Sequence, residues 1–224
     1  MEMEIKKIRR KIPEVLTEEE VRRLKKQPKL EEKYYLKELK KRKKQGSKSL
    51  KRIENKLFNA RRNNAIITLF YSSGIRLSEL VHLDLSDIYL EEKQIKVLGK
   101  GGNESYCPIT QEAVEVLNTY IKVRKARGNA KDEALFITRT GDRIKNRDIQ
   151  RMVPKYAKEA GINKRVTPHT LRHSIATHLL DRGMDLRYVQ SFLRHASISS
   201  TQIYTHVSNG KLKKELSIHH PDNL

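Results

Sequence analysis

Apolar positions along the chain recur mostly at helical spacing. Thr17, followed three residues later by Glu20, forms a capping box for a first helix in TEEEVRRLKKQ, which Pro28 is expected to end. The run KLEEKYYLKELKKRKKQGSKSLKR predicts more helix, up to a stop at Gly46. A second long helix is expected in ENKLFNARRNNAIITLFYSSG, ending at Gly74, and a short one in IRLSELVHLDL directly after it. The period then changes. DIYLEEKQIKVLGKGGNESYCPIT alternates, with turn clusters at Glu91–Lys93 and Gly99–Asn103, and predicts a three-stranded meander. Helices resume in QEAVEVLNTYIKVRKARG, capped by Thr110 and stopped by Gly128, and in NRDIQRMVPKYAKEAG, where Pro154 is expected to introduce a kink. Three more follow: one opening at Thr167, one running from Asp185, and a last short one in SNGKLKKELSIHH. The fold class expected is mainly α with a small three-stranded antiparallel sheet (α+β).

Charge changes this picture most. Forty-eight Lys and Arg stand against 27 Asp and Glu, a net charge of +21 and a pI near 10. A field of that sign draws polyanions, and nucleic acid is the commonest one in a cell. A merely soluble basic protein or a binder of anionic membrane surfaces has the same composition. The longest apolar run, AIITLFY from Ala65, is far short of the roughly 20 residues of a membrane span, and no secretory signal pattern opens the chain. The single cysteine, Cys107, excludes an intramolecular disulfide and a multi-cysteine zinc site, and reads as a small buried hydrophobe in a strand. These features suit a reducing cytoplasm.

Chemistry concentrates in TPHTLRHSIATHLL, Thr167 to Leu180. Thr167 is a good N-cap, Pro168 suits the first helical position, and Leu171, Ile175 and Leu179 form a buried stripe. His169 and His173 stand four apart, with His178 nearby, a spacing that can ligate zinc. Thr170, however, holds the place where a metalloprotease needs its glutamate, and Arg172 sets a fixed positive charge beside any cation. Phosphate suits these residues better: a first turn offers free N–H groups, and a guanidinium matches two phosphate oxygens at once. SSGIRLSEL repeats the design, with Arg76 after a glycine and Glu79 three residues on. That pair is also what an ordinary intrahelical salt bridge looks like.

With those residues assembled, the chain resembles the catalytic domain of the tyrosine recombinases (phage integrase family), most of all the Xer branch. SGIRLSELVHL resembles the first arginine motif, VLGKGGNES the lysine-bearing β-hairpin, and HTLRHSIATHLL the His-x-x-Arg box. LRHASISSTQIYTHVS resembles the closing segment with the third histidine and the nucleophilic tyrosine, and KLKKELSIHHPDNL the Xer tail. The resemblance implies that Arg76 and Arg172 clamp the scissile phosphate and that Tyr204 attacks it to leave a 3′-phosphotyrosyl link. It implies that His169 assists proton transfer at the tyrosine, Lys100 protonates the leaving 5′ oxygen and His195 hydrogen-bonds the phosphate. Glu79 and His173 are supporting positions. No cofactor and no metal are implied. The partner implied is double-stranded DNA, bound by a tetramer, the free protein being expected as a monomer; cytoplasmic, nucleoid-associated localisation follows from that role.

Several features depart from the family pattern. Arg194 replaces the glycine usual before the third histidine, and a left-handed residue there would cost a non-glycine about 1 kcal/mol; Arg194 is an expected DNA contact, as are Arg147, Lys164 and Arg165. In the hairpin, Asn103 and Ser105 replace basic residues. The chain is expected to be a single catalytic domain over residues 1–224, with the usual N-terminal core-binding domain absent. A basic helical insertion over 29–56 is expected to replace part of that clamp as phosphate-binding surface. The tail over 207–224, with Leu212, Leu216 and Ile218 on one face, is expected to dock on a neighbouring protomer or on its own core. Two rivals to recombination are a DNA-binding protein of the same fold without turnover and type IB topoisomerase-like strand passage.

Overall fold

The computed structural model describes residues 14–44, 50–99, 102–131, 133–194 and 209–222. Eight helices and a three-stranded sheet appear among them. Helix α1 (Glu18–Lys44) and α2 (Leu50–Ser73) pack as a long antiparallel pair. The expected capping box opens the first helix: the Thr17 N–H donates to Glu20 Oε2 (2.7 Å) and the Glu20 N–H to Thr17 Oγ1 (3.1 Å). Pro28 does not end α1, contrary to the sequence expectation. Its missing N–H costs one helical hydrogen bond. Against that loss, Val21, Leu24 and Pro28 bury one continuous face, and Glu31 and Glu32 reach Tyr156 and Arg61 beyond the proline. Tertiary contact outweighs the local break. The expected insertion is therefore the distal part of the α1–α2 pair; its stop at Gly46 lies outside the described residues.

α2 is the central helix. Leu57, Phe58, Ile66, Ile67, Leu69, Phe70 and Tyr71 are all buried, because α1, α4 (Gln111–Arg127) and α6 (Pro168–Asp181) cover it. Short α3 (Leu77–His82) follows Gly74, and a single helical turn at Leu85–Asp87 leads into the sheet. Strands β1 (Ile88–Tyr89), β2 (Gln94–Leu98) and β3 (Glu104–Pro108) form the expected antiparallel meander, with Ile95 opposite Cys107 and Leu98 opposite Glu104. Cys107 is buried, and burial pushes its thiol up to about 12. Thr110 accepts from the Ala113 N–H and Gly128 closes α4 in the left-handed conformation, both as expected.

The segment between α4 and α5 (Asn146–Glu159) was not legible as structure. Ala134, Leu135, Phe136 and Ile137 are fully buried there, the Leu135 N–H donates to the Leu83 carbonyl (2.8 Å), and Phe136 stacks on Tyr120 at 5.4 Å. α5 continues through Pro154. In α6, Thr167 Oγ1 accepts from the Thr170 N–H and Leu171, Ile175 and Leu179 are each 0 % exposed, as the pattern predicts. Burying such side chains contributes about 1.5–3 kcal/mol each.

α7 (Leu186–Leu193) and α8 (Asn209–His219) complete the fold. Leu212 and Leu216 are buried in the chain's own core, whereas Ile218 is 58 % exposed, so the tail's three apolar residues do not share one buried face. Two side chains beyond or beneath that helix fix its end. Lys25, buried in α1, donates to Asp222 and to Glu112, each at 2.5 Å. His220 is wholly buried, packs edge-on against Tyr71 (5.8 Å) and accepts from the Asp222 N–H (3.0 Å).

Burial, aided by the Lys25 charge and opposed by Asp222, lowers the His220 pKa to about 4. A histidine so depressed is neutral in the folded state while the unfolded chain takes up protons below its ordinary value, so stability is full above pH 6.5 and is lost as pH falls toward 4. Burial raises the Glu112 carboxyl, but Lys25 and Lys29 outweigh it and hold the group below its ordinary value. Acidification from pH 7 to 5 is therefore expected to weaken tail docking by about 1.4 kcal/mol per pH unit at most. Hydrogen exchange of the α8 amides measures this, and His220→Leu is expected to flatten the response.

Candidate active site

Two helix starts and one helix end meet around three arginines. Arg76 caps α3: its N–H donates to Glu79 Oε2 (2.9 Å), its Nη1 to Glu79 Oε1 (2.7 Å), and its Nη2 to the Arg194 carbonyl (3.0 Å). Glu79 is more than a partner along one helix, because Arg194 Nη2 also donates to its Oε2 (2.8 Å). Burial raises the carboxyl pKa, but Arg194 and Arg76 outweigh that and hold Glu79 below the carboxylate range.

Arg172 approaches from α6. Its guanidinium donates to the Gly74 carbonyl and to the Leu193 carbonyl (2.5 Å). The residue is 7 % exposed. Burial, with the Arg76 and Arg194 charges adding, pushes it down to about 10 against the pull of Glu79, which still leaves it a cation at neutral pH. Gly74 makes this approach possible. Its φ is +57°, and a Cβ there would lie 2.9 Å from Leu193 Cδ2 and 3.1 Å from Phe192 Cε1. α7 thus ends against a bare backbone, and the consecutive carbonyls of Leu193 and Arg194 each receive one arginine.

Both Arg76 and Arg172 line an open cleft of about 990 Å³ between α3, α5 and the start of α6. His169, exposed in the first turn of α6, stands on the same wall, as do Lys164 and Arg165. Lys164 is also tied down, donating to Glu20 (2.6 Å) and the Val15 carbonyl (3.0 Å). Ser78, Thr167, Asn146, Gln150 and Lys158 also line it, and sequence reasoning gave none of them a role in binding. Arg147 is exposed at the start of α5, outside the lining. His173 is half-buried one turn beyond His169 and likewise outside it. His178 is structural: Nδ1 meets the Tyr71 hydroxyl and Nε2 the Leu16 carbonyl, both at 2.8 Å. With both ring nitrogens occupied, it cannot join His169 and His173 around a metal.

A second cleft of about 760 Å³ joins the first at Arg76 and Ser78 and runs along the β2–β3 hairpin past Lys96, Gly99, Asn103 and Ser105. The Gly99 N–H donates to the Asn103 carbonyl (2.8 Å), closing the hairpin loop. Lys100, which follows Gly99, lies outside the described residues, as do His195, which follows Arg194, and Tyr204. Arg194 itself has its guanidinium turned inward, with its side chain 12 % exposed. Its φ of +52° is the left-handed conformation that the missing glycine foreshadowed.

The arrangement suits a phosphodiester: two guanidiniums held by buried acceptors, one carboxylate shared between two of three arginines, and a cleft open to solvent. Comparison with known proteins agrees. The sequence model of the Phage integrase family matches residues 42–211. The tyrosine recombinase XerC of Thermodesulfovibrio yellowstonii is 47 % identical over 169 residues, 73 % of this chain and 56 % of that protein. The tyrosine recombinase XerD of Oceanobacillus iheyensis is 42 % identical over 163 residues, 71 % of this chain and 55 % of that protein. The crystal structure of XerA recombinase superposes with a TM-score of 0.66 at 31 % identity, covering 94 % of this chain and 66 % of that one. The chain spans about half the length of the curated relatives it matches. On these grounds the chain belongs to the phage integrase family of tyrosine recombinases.

Proposed function

We propose that the chain is the catalytic part of a site-specific recombinase that cleaves and rejoins DNA through a 3′-phosphotyrosyl intermediate. The observation that carries this reading is the pair Arg76 and Arg172 on one cleft wall, each anchored from behind by buried acceptors. Two of the three guanidiniums there share one carboxylate and the third, Arg172, has only backbone carbonyls, so the site is short of negative charge before DNA arrives. A scissile phosphate supplies it, and the extra charge of the pentacovalent state is stabilised most.

In this reading the Tyr204 oxygen attacks phosphorus and its proton passes to His169. The bond from phosphorus to the 5′ oxygen breaks, and Lys100 gives that oxygen a proton. A phenol near pKa 10 needs such help at pH 7. Attack by a 5′ hydroxyl on the phosphotyrosine reverses every step, so the bond energy is retained and no nucleotide cofactor is required. His195 adds a hydrogen bond to the phosphate. A XerH recombinase structure similar to this chain (TM-score 0.65, 25 % identity, 93 % of this chain and 54 % of that one) is described as bound to a palindromic difH substrate, post-cleavage. That supports duplex DNA as the partner here. Four protomers on two duplexes, in the cytoplasm, is the assembly this reading implies; among the described residues no helix is long and apolar enough to cross a membrane.

The insertion adds a second basic surface to the proposal. Residues 29–56 hold twelve Lys and Arg against four Glu. Glu31 and Glu32 face inward to Lys155, Tyr156 and Arg61, while Lys33, Lys37 and Lys40 are exposed on one face of α1 with no described carboxylate beside them. We infer that this face binds DNA phosphates outside the cleft.

Three outcomes are expected. On nicked suicide duplexes carrying candidate sites, the chain forms a denaturant-resistant adduct and Tyr204→Phe forms none; tight binding without adduct on every duplex would favour the non-catalytic reading. Arg172→Lys lowers the single-turnover cleavage rate by roughly a hundredfold or more, because a compact ammonium lacks the planar fork that spans both carbonyls while presenting paired donors to a phosphate. Neutralising Lys33, Lys37 and Lys40 to Gln reduces the salt dependence of DNA affinity by about 0.9 for each phosphate no longer engaged, with cleavage of bound DNA unchanged.

A further inference from the structure

Arg194 occupies an unfavourable backbone position for a residue with a side chain. At φ +52° and ψ 51° a glycine would be relaxed there. What the side chain does must offset that strain. Its Nη2 donates to Glu79 Oε2 at 2.8 Å, and its Nη1 reaches the Phe192 carbonyl (3.2 Å) and the Cys107 sulfur. The Cys107 thiol is neutral at physiological pH, so Glu79 is the one anion the guanidinium touches among the described residues. The side chain is 12 % exposed at the edge of the second cleft, but the forked Nη end of its guanidinium is committed to Glu79, the Phe192 carbonyl and Cys107.

We propose that Arg194 is a positioning residue that sets the charge and the aim of Arg76, and that it makes no phosphate contact of its own. The proposal rests on the recombinase reading. Two links carry it. The first is electrostatic. The two oxygens of Glu79 serve Arg76 Nη1, the Arg76 N–H and Arg194 Nη2 together. With Arg194 drawing on that carboxylate, less of its charge is left to neutralise Arg76, whose side chain is 38 % exposed and lines both clefts. The second is mechanical. The Arg194 carbonyl accepts from Arg76 Nη2, and the Leu193 carbonyl before it accepts from Arg172. Tethering the Arg194 side chain to Glu79 on α3 therefore fixes the peptide groups that hold both phosphate-binding arginines.

Arg194→Gly separates the possibilities, since it relieves the backbone while deleting the side chain. Arg194→Lys keeps the charge beside Glu79 but not the forked pair of donors. Each variant is compared with the parent chain for thermal unfolding, for the salt dependence of duplex binding, and for single-turnover cleavage of a nicked suicide duplex. The expected result is an unchanged salt slope in both variants, a cleavage rate about tenfold or more lower in Arg194→Gly, and partial recovery in Arg194→Lys. In combination with Glu79→Gln the effects are expected not to multiply, because both substitutions act on the same carboxylate. A slope lowered by about 0.9 would make Arg194 a direct phosphate contact and overturn the proposal. Cleavage by Arg194→Gly at the parent rate would also overturn it. An absence of adduct with the parent chain would instead count against recombination. In that case titration of inorganic phosphate, followed through the Arg76 and Arg172 side-chain NMR signals, tests the same link without turnover. Weaker phosphate binding in Arg194→Gly, recovered in Arg194→Lys, supports the proposal, and unchanged binding overturns it.

Discussion

The buried guanidinium of Arg172 is the constraint on which the rest of the site depends. It reaches from α6 to the carbonyl of Gly74, where α2 turns into α3, and to the carbonyl of Leu193 at the end of α7. Three elements, one of them about a hundred residues away in sequence, are pinned by one planar cation. A lysine has neither the fork nor the reach to do the same. Because the cation is screened from water on its protein side, it is held short of the hydration it would otherwise have. An arriving anion replaces that hydration, which joins the stability of the fold to the affinity of the site.

Charge is partitioned over the molecule in a way that follows from burial. Buried cations have specific acceptors: Lys25 has Glu112 and Asp222, Arg124 the Ala134 carbonyl, and Arg172 two carbonyls. Lys33, Lys37 and Lys40 of α1 stand exposed, because Glu31 and Glu32 are turned toward the body of the protein and Glu38 is paired with Arg42. The net positive charge of the chain is thus presented mainly outward, where a polyanion can use it. This arrangement serves association and orientation more than it serves fold stability.

Much of the fold was legible in local signals. Thr167 with Pro168, Thr110 with Gly128, and the Leu171–Ile175–Leu179 stripe each marked an element that the structure contains, because capping and periodicity are short-range effects. Pro28 misled for the same reason: its local penalty is real, but packing across α2 and α5 outweighs it. The buried run Ala134–Ile137 has neither strand nor helix periodicity, since it is held by Leu83 and Tyr120 from elsewhere in the chain. That Arg76, Arg172 and His169 would come together, as they do on one cleft, was legible through motif order. The direction of the Arg194 side chain was not, because only the folded chain brings Glu79 beside it.

The double partnership of Lys25 has a consequence for what detachment of the C-terminal segment would cost. Most buried cations forbid departure of their counterion, since the charge left behind would stand alone in a poorly polarisable interior. Here Glu112 stays with Lys25 when Asp222 leaves, and the ammonium is never stranded. The segment beyond α8 is therefore attached by a fastening with a resident substitute, so that its release leaves a body whose internal charges still balance.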